Sequence, residues 1–161
     1  MLRWQWSSFD ELSQNELLEI LKARQAVFIV EQNCPYQDVD ELDCVSWHLL
    51  CWHELHQGEI LAAYLRVVPP GQKYSEQSLG RVLTVSSVRG KGIGRMLLSE
   101  GVARASNAYP GSAIRIAAQQ YLERFYSDFG FETVSDVYDE DGIPHIEMLR
   151  AWSVTEADSE G

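Results

Sequence analysis

A strand pattern that passes through three glycines into a helical pattern constrains the fold of this 161-residue sequence more than any other feature. The run reads Val82-Leu83-Thr84-Val85-Ser86-Ser87-Val88-Arg89-Gly90-Lys91-Gly92-Ile93-Gly94-Arg95. Apolar residues before the glycines have the spacing of a strand, and those after them continue at helical spacing as far as Ala105. The run therefore predicts a strand that ends in a glycine turn, from which a helix begins.

The glycine turn has the features of an anion-binding site. At Gly90, Gly92 and Gly94 backbone N–H groups can approach an anion closely, and the unpaired amides at the start of a helix add partial positive charge. The cationic residues around the turn are Arg89, Lys91 and Arg95. Because the whole chain has a formal net charge of -11, this local positive charge indicates a phosphate ligand.

Two common phosphate-binding turns do not match. A P-loop requires Gly-Lys-Ser/Thr after a first glycine and four intervening residues, and the sequence contains no such run. A dinucleotide-binding turn requires glycine at the position of Leu97 and an acid about twenty residues later. No acid lies between Glu100 and Glu123. The flanking sequence must therefore distinguish a phosphate site from a simple strand-to-helix connection.

Composition narrows the class of protein. With 24 acidic against 13 basic residues, the chain repels phosphate backbones and anionic membrane surfaces, so we expect no nucleic-acid or membrane partner. The sequence has neither an apolar signal region nor a membrane-length apolar run, which predicts a cytoplasmic protein. The irregular spacing of Cys34, Cys44 and Cys51 predicts reduced thiols.

Periodicity predicts the other elements of a single domain over residues 1–151, followed by a polar, flexible tail over 152–161. A capping box of Ser13 and Glu16 begins a helix that runs to Phe28. Strands are expected over 2–6, 47–54, 60–68, 79–88 and 113–118, helices over 93–105 and 121–129, and a closing hairpin over 131–138 and 143–151.

Two features of the N-terminal third have more than one interpretation. Arg24 lies in the apolar stripe of the first helix, and its side chain is expected to reach solvent or to pair with Glu31. From Val30 to Ser46 the periodicity is lost in a segment rich in acids, which indicates a long loop. We expect these acids to be solvated or to form the rim of a substrate site.

Four motifs resemble those of a known family. Arg89-Gly90-Lys91-Gly92-Ile93-Gly94 is similar to the Arg/Gln-x-x-Gly-x-Gly/Ala pyrophosphate motif of the GCN5-related N-acetyltransferase (GNAT) family. Phe125-Tyr126-Ser127-Asp128-Phe129-Gly130-Phe131 resembles a second signature of that family. Residues 24–32 and 138–146 resemble its ElaA-like branch, so the likeness extends over roughly residues 1–150.

The resemblance implies an α/β (α+β) fold of the GNAT type. Its central sheet would be mixed and mostly antiparallel, with about six or seven strands splayed between the fourth and fifth, and about four helices would flank it. It also implies that acetyl-CoA donates the acyl group, with its pyrophosphate on the glycine turn and its pantetheine between the splayed strands. The residues expected to bind it are Val82, Leu83, Thr84, Val85, Arg89, Gly90, Lys91, Gly92, Ile93, Gly94, Arg95, Gln119 and Tyr126.

The activity implied by the resemblance is acetyl transfer to a primary amine by direct attack in a ternary complex. Tyr126 would protonate the departing thiolate. A lysine-like amine of pKa about 10.4 requires about 4.6 kcal/mol to lose its proton at pH 7, so a base is needed. Glu31 and His145 are both candidates, and their spacing does not decide between them. The acceptor and a possible homodimer remain open.

Three alternatives compete with this interpretation. A non-catalytic acyl-CoA-binding module would keep the phosphate site without the chemistry. A protein-interaction domain would use an apolar patch of tryptophans, namely Trp4, Trp6, Trp47, Trp52 and Trp152. A metal site at Cys51 and His53 is disfavoured, because His48 would point to the opposite face of the same strand and His56 lies in a turn.

Overall fold

One mixed sheet organises the computed structural model, which describes residues 1–153. Its strands are β1 (Leu2–Ser8), β2 (Trp47–Leu55), β3 (Gly58–Val68), β4 (Gln77–Thr84), β5 (Ile114–Gln119), β6 (Glu132–Thr133), β7 (Tyr138–Glu140) and β8 (Ile143–Arg150). Their order is β1-β2-β3-β4-β5-β8-β6, and β7 pairs with β8. Only β4 and β5 pair in parallel among the described strands. The mixed, mostly antiparallel sheet is confirmed, with eight strands where about six or seven were expected.

Among the described residues, three α-helices flank the sheet: α1 (Gln14–Arg24), α2 (Ile93–Ala108) and α3 (Glu123–Ser127). The capping box at the start of α1 is confirmed, because the Glu16 amide donates to Ser13 Oγ at 3.1 Å and the Ser13 amide donates to Glu16 Oε1 at 2.8 Å. The helix then widens into a π-helical segment over Gln25–Glu31. Periodicity could not distinguish this segment from the α-helix that it continues.

The two faces of the sheet carry separate apolar clusters. Leu97, Leu98 and Val102 of α2 pack with Leu49 and Leu65 on one face. On the other face α1 contributes Ile20 and Ala23, which pack with residues of β2, β3 and β4, among them Leu50, Tyr64 and Leu83. Neighbouring strand residues alternate between the clusters, as the period of two requires. The tryptophans of the alternative patch hypothesis are largely core residues, since Trp52 is buried and Trp4, Trp6 and Trp47 pack against the first cluster.

Strand β4 departs from its neighbours. It pairs with β5 only at Gln77–Ile114 and Ser78–Arg115, and beyond these pairs the two strands separate. Its register with β3 shifts between Gly80 and Leu83, and Arg81 within this bulge has a φ of 50°. The splay between the fourth and fifth strands is thereby confirmed.

The predicted end of β4 at Val88 is wrong. The strand ends at Thr84, and Ser86–Val88 form a short 3-10 turn. The side chain of Val88 is buried in the cluster on the α2 face. A short apolar run cannot show whether its residues lie in a strand or in a packed turn, which explains the error.

The expected environments of Arg24 and of two acids in the loop, Asp38 and Asp43, are also wrong. Arg24 is 1% exposed, and its guanidinium lies 3.0 Å from Asp38 Oδ2 and 2.6 Å from Asp43 Oδ1. These aspartates are 8% and 4% exposed, so they are neither solvated nor part of a rim. Glu41–Cys44 form a further 3-10 turn. The aspartates are buried because arginines of three elements, Arg24, Arg66 and Arg81, need counter-ions there.

The last described residues of the chain contact α2. Trp152, at the start of the predicted tail, donates its indole N–H to the carbonyl oxygen of Ser106 at 3.0 Å. Residues 154–161 of that tail lie outside the described residues. Within residues 1–153, no helix combines the length and hydrophobicity needed to cross a membrane.

Candidate active site

A cavity of about 520 Å³ opens where β4 and β5 separate. Residues 79–84 of β4 form one wall, and residues 116–119 of β5 form the opposite wall. Phe28 and Glu31 of the π-helical segment border it, and the hairpin of β7 and β8 contributes Glu140 and His145. The polar edges of two strands thus face a shared space, in which a ligand can bond to backbone groups.

The glycine turn lies between the end of β4 and the start of α2. Gly90 and Gly92 have φ angles of 84° and 79°, in the left-handed region that favours glycine. Apart from the glycine itself and its two chain neighbours, no heavy atom lies within 4 Å of the position where a side-chain Cβ would stand at either residue. Gly92 is the N-cap of α2, so the first amides of that helix have no intrahelical partner. The turn can therefore accept a bulky anion.

The charged residues around the turn point in different directions. Arg89 donates from Nε and Nη2 to the carbonyl oxygen of Thr84, at 3.1 and 2.8 Å, and from Nη1 to Glu31 Oε1 at 2.7 Å. This ion pair joins the turn to the π-helical segment at the edge of the cavity. Arg95 instead pairs with Asp128 at 2.8 Å, and Lys91 is exposed.

Tyr126 borders the cavity from α3. It is 7% exposed, and its ring makes edge contacts with Phe125 and Phe131 at centroid distances of 5.4 and 5.9 Å. Burial, and to a smaller degree the nearby Tyr121, raises the pKa of Tyr126 well above its usual range. Its hydroxyl therefore remains protonated at neutral pH and can donate a hydrogen bond.

His145 and Gln119 are cross-strand neighbours on β8 and β5. The Nδ1 atom of His145 lies 2.8 Å from the carbonyl oxygen of Ile143, and its Nε2 atom lies 3.3 Å from Glu140 Oε2. The side-chain amide of Gln119 donates to Gln32 Oε1 at 3.4 Å. Both residues border the cavity near the end of β5.

The structure groups the predicted site residues into two sets. Those that line the cavity are Glu31, Val82, Leu83, Thr84, Arg89, Gln119, Tyr126 and His145. Those around the turn and the start of α2, outside the lining, are Val85, Gly90, Lys91, Gly92, Ile93, Gly94 and Arg95. The amide of Val85 is already bonded to the carbonyl oxygen of Ala62 at 2.9 Å.

Sequence reasoning did not assign several lining residues to the site, among them Cys34, Tyr36, Arg81 and Glu140. Glu140 lay within a segment that carried the family resemblance, so its acidic side chain beside His145 was a usable signal. Arg81 gave no signal, because its position depends on the bulge of β4.

The other clusters considered at the sequence level have structural roles. His48 is fully buried, with Nδ1 2.6 Å from the hydroxyl of Tyr64 and Nε2 3.0 Å from the carbonyl oxygen of Asp43. The three cysteines are free thiols. In the part of the chain that the structure describes, no three His, Cys, Asp or Glu side chains are grouped to hold a metal ion.

Several known proteins are similar to this chain in sequence. A family model described as an acetyltransferase (GNAT) domain matches residues 51–151. UPF0039 protein sll0451 of Synechocystis is 42% identical over 148 residues, which are 92% of this chain and 94% of that protein. Protein ElaA of Escherichia coli strain K12 is 39% identical over 152 residues, which are 93% of this chain and 97% of that protein.

Solved structures of similar proteins superpose well on this chain. The crystal structure of an acyl-CoA N-acyltransferase from Pseudomonas aeruginosa superposes with a TM-score of 0.88 at 38% identity, over 94% of this chain and 100% of the other. That of Escherichia coli ElaA superposes with a TM-score of 0.85 at 38% identity, over 93% and 99%. The chain therefore belongs to the GNAT acetyltransferase family as a homologue of ElaA, and it is an acyltransferase.

Proposed function

We propose that this chain transfers the acetyl group of acetyl-CoA to a primary amine by direct attack in a ternary complex. Enzymes of the family use an acyl-CoA donor and, in general, an amine acceptor. The observation that carries the proposal is the cavity between the separated ends of β4 and β5, which borders Thr84 near the glycine turn as well as Tyr126 and His145. A thioester carrier and an amine can meet in such a space.

The donor fits the residues present. Residues 82–84 of β4 face the cavity, so the pantetheine can lie along them like an added strand. Its diphosphate would lie on the turn at Gly90 and Gly92, where there is room beside the backbone and where α2 begins. Arg89, which keeps its ion pair with Glu31, and the exposed Lys91 would add positive charge beside the diphosphate.

The chemistry requires three events. A base removes one proton from the ammonium group, and the nitrogen lone pair then forms the C–N bond at the acetyl carbonyl. The C–S bond breaks, and the hydroxyl of Tyr126 donates its proton to the sulfur and recovers one from the new amide nitrogen. Because the pKa of Tyr126 is raised, hydrogen bonding to the developing thiolate is its main contribution. Glu31 and His145 both border the cavity as candidate bases.

The second candidate function is a module that binds acyl-CoA without chemistry. It is the weaker candidate because Tyr126, whose hydroxyl is held protonated by burial, is one of the residues that line the cavity.

Release of free thiol from acetyl-CoA separates the two functions. The purified 161-residue chain is mixed with acetyl-CoA and a panel of primary amines: polyamines, amino sugars, amino acids and peptides. Amine-dependent release, together with the acetylated product in mass spectra, is expected. Binding of acetyl-CoA by calorimetry with no release for any amine would support the binding module instead.

A further inference from the structure

His145 and Glu140 form a pair on the hairpin of β7 and β8. The Nδ1 atom of His145 lies 2.8 Å from a carbonyl oxygen, which can only accept, so Nδ1 carries a hydrogen. Proton uptake and release then belong to Nε2, which lies 3.3 Å from the Glu140 carboxylate. His145 is 7% exposed, whereas the Glu140 side chain is 50% exposed. The pair therefore joins a shielded imidazole to a carboxylate that an entering molecule can reach.

The register of the strands directs this pair into the cavity. Tyr138 is opposite His145 and Glu140 is opposite Ile143, so Glu140 and His145 are diagonal neighbours on one face of the hairpin. Gln119 is opposite His145 on β5, at the end where β5 has left β4. Glu140, His145 and Gln119 all line the cavity.

We propose that Glu140 receives the protonated amine of the acceptor and that His145 Nε2 removes its proton. The proposal rests on the acetyl transfer proposed above and assigns both residues as catalytic. The N–H bond breaks with its electron pair left on nitrogen, and an Nε2–H bond forms. The nitrogen pair then attacks the acetyl carbonyl, and the imidazolium later returns its proton to water.

The charge of Glu140 makes this transfer favourable. The carboxylate is the counter-ion of the ammonium before the transfer and of the imidazolium after it, so no new pair of separated charges arises. A buried imidazolium without such a partner would be destabilised. At 3.3 Å, the product ion pair needs no rearrangement of the hairpin.

The other groups at the cavity are less suited to this step. Glu31 Oε1 is held by Arg89 at 2.7 Å, so its charge is already matched. Burial, with a smaller contribution from the charge of Glu140, raises the pKa of Tyr138 to about 12, so its hydroxyl stays protonated. The acceptor class that this arrangement selects is a primary amine that is cationic at neutral pH.

The test compares two acceptors that differ in charge. The first is the primary amine with the highest rate in the panel, and the second is its O-alkylhydroxylamine analogue, in which oxygen replaces the methylene next to nitrogen. The analogue is uncharged at pH 7 and needs neither a counter-ion nor a base. For Glu140→Gln we expect kcat/KM to fall about tenfold or more with the amine and less than about threefold with the analogue. His145→Gln should give the same contrast with a larger loss.

Asp139→Asn is the matched control. Asp139 is the neighbour of Glu140 on the opposite face of β7, and an asparagine oxygen can still accept from the Gly142 amide as Asp139 does at 3.2 Å. This variant should keep the wild-type rate with both acceptors. An equal loss with both acceptors in Glu140→Gln, or no loss, overturns the inference while wild-type thiol release still supports the acetyltransferase.

Discussion

At the scale of single residues, burial decides what Tyr126 can contribute. Tyr126 lines the cavity, but its ring is packed between Phe125 and Phe131, and burial keeps the phenol neutral at the pH of the reaction. A neutral phenol donates one hydrogen bond, and a thiolate that leaves a thioester needs one. This hydrogen bond is therefore expected to stabilise the transition state more than it strengthens the binding of either substrate.

Removing that hydroxyl should therefore affect turnover and leave donor binding intact. For Tyr126→Phe we expect kcat to fall by about tenfold to a hundredfold, while calorimetry gives an unchanged Kd for acetyl-CoA. Tyr109→Phe, at the end of α2, is the control because its hydroxyl is outside the cavity lining. Wild-type kcat in Tyr126→Phe would remove the assignment.

The glycine turn permits an equally local test. A glutamate at position 92 would bring a negative charge to the N-terminus of α2, where the diphosphate is proposed to lie. We expect Gly92→Glu to weaken acetyl-CoA binding by at least about tenfold, measured by calorimetric titration.

Gly111→Glu provides the control for this substitution. Gly111 has a φ of 85° and no atom within 4 Å of its Cβ position, so the strain and the added charge are the same as at Gly92. Equal affinity in the two variants would contradict the phosphate site at the turn.

At the scale of elements, features that depend on local sequence could be predicted, whereas features that depend on distant contacts could not. The start of α1 follows from Ser13 and Glu16 alone, and the hairpin of β2 and β3 follows from alternation around a polar turn. The bulge of β4 could not be predicted, because Arg81 adopts its left-handed conformation through contacts with a distant segment.

In the candidate site, too, local features could be predicted from the sequence and long-range contacts could not. Family motifs indicated Tyr126 and the glycine turn, since these signals are local in sequence. The pairing of Arg89 with Glu31 joins residues 58 positions apart and is visible only in the fold.

The bulge depends on how Arg81 is anchored. Its Nε lies 2.9 Å from Asp38 Oδ1, its Nη2 donates to the Asp38 carbonyl oxygen at 2.7 Å, and its guanidinium lies over the ring of Tyr36 at 5.7 Å. These contacts hold a side-chain-bearing residue at a φ of 50°, which costs about 1 kcal/mol relative to glycine.

Two substitutions separate the anchor from the backbone strain. Arg81→Ala loses the anchor and keeps the strain, whereas Arg81→Gly loses the anchor and relieves the strain. We therefore expect Arg81→Gly to be more stable than Arg81→Ala by about 1 kcal/mol in urea unfolding. Equal free energies of unfolding would mean that β4 becomes regular once the guanidinium is gone.

At the scale of the whole molecule, the net charge of -11 does not reflect the interior, where three arginines pair with three aspartates. Arg24, Arg66 and Arg81 meet Asp38, Asp40 and Asp43, and the contacts join α1, β3 and β4 to the segment before β2. Removing one partner from such a set typically costs about 3 to 5 kcal/mol, because the remaining charge is left buried and unpaired. From the sequence these acids were expected to be solvated or to form a rim, because their partners are far away along the chain.

This internal set predicts how stability depends on pH. Burial by itself would raise the pKa of Asp43, but hydrogen bonds and charges from Arg24 and Arg66 outweigh it and lower the value to about 2. An aspartate titrates near 3.9 when unfolded, so its ionised form stabilises the fold above that pH and the contribution disappears as the pH falls towards 2. The shift corresponds to about 2 to 3 kcal/mol at neutral pH, of which about half is lost by pH 3.

Urea unfolding of the wild type and Asp43→Asn between pH 6 and pH 3 tests this link between one carboxylate and the whole fold. The asparagine variant cannot titrate at position 43, so the difference in free energy of unfolding between the two proteins should shrink by about 1 kcal/mol as the pH falls to 3. Asp10→Asn, which removes an exposed carboxylate, controls for the change in net charge. A difference that stays constant across this range would mean that the arginines do not hold Asp43 in its ionised form, and the buried ions would then not account for the fixed position of the segment before β2.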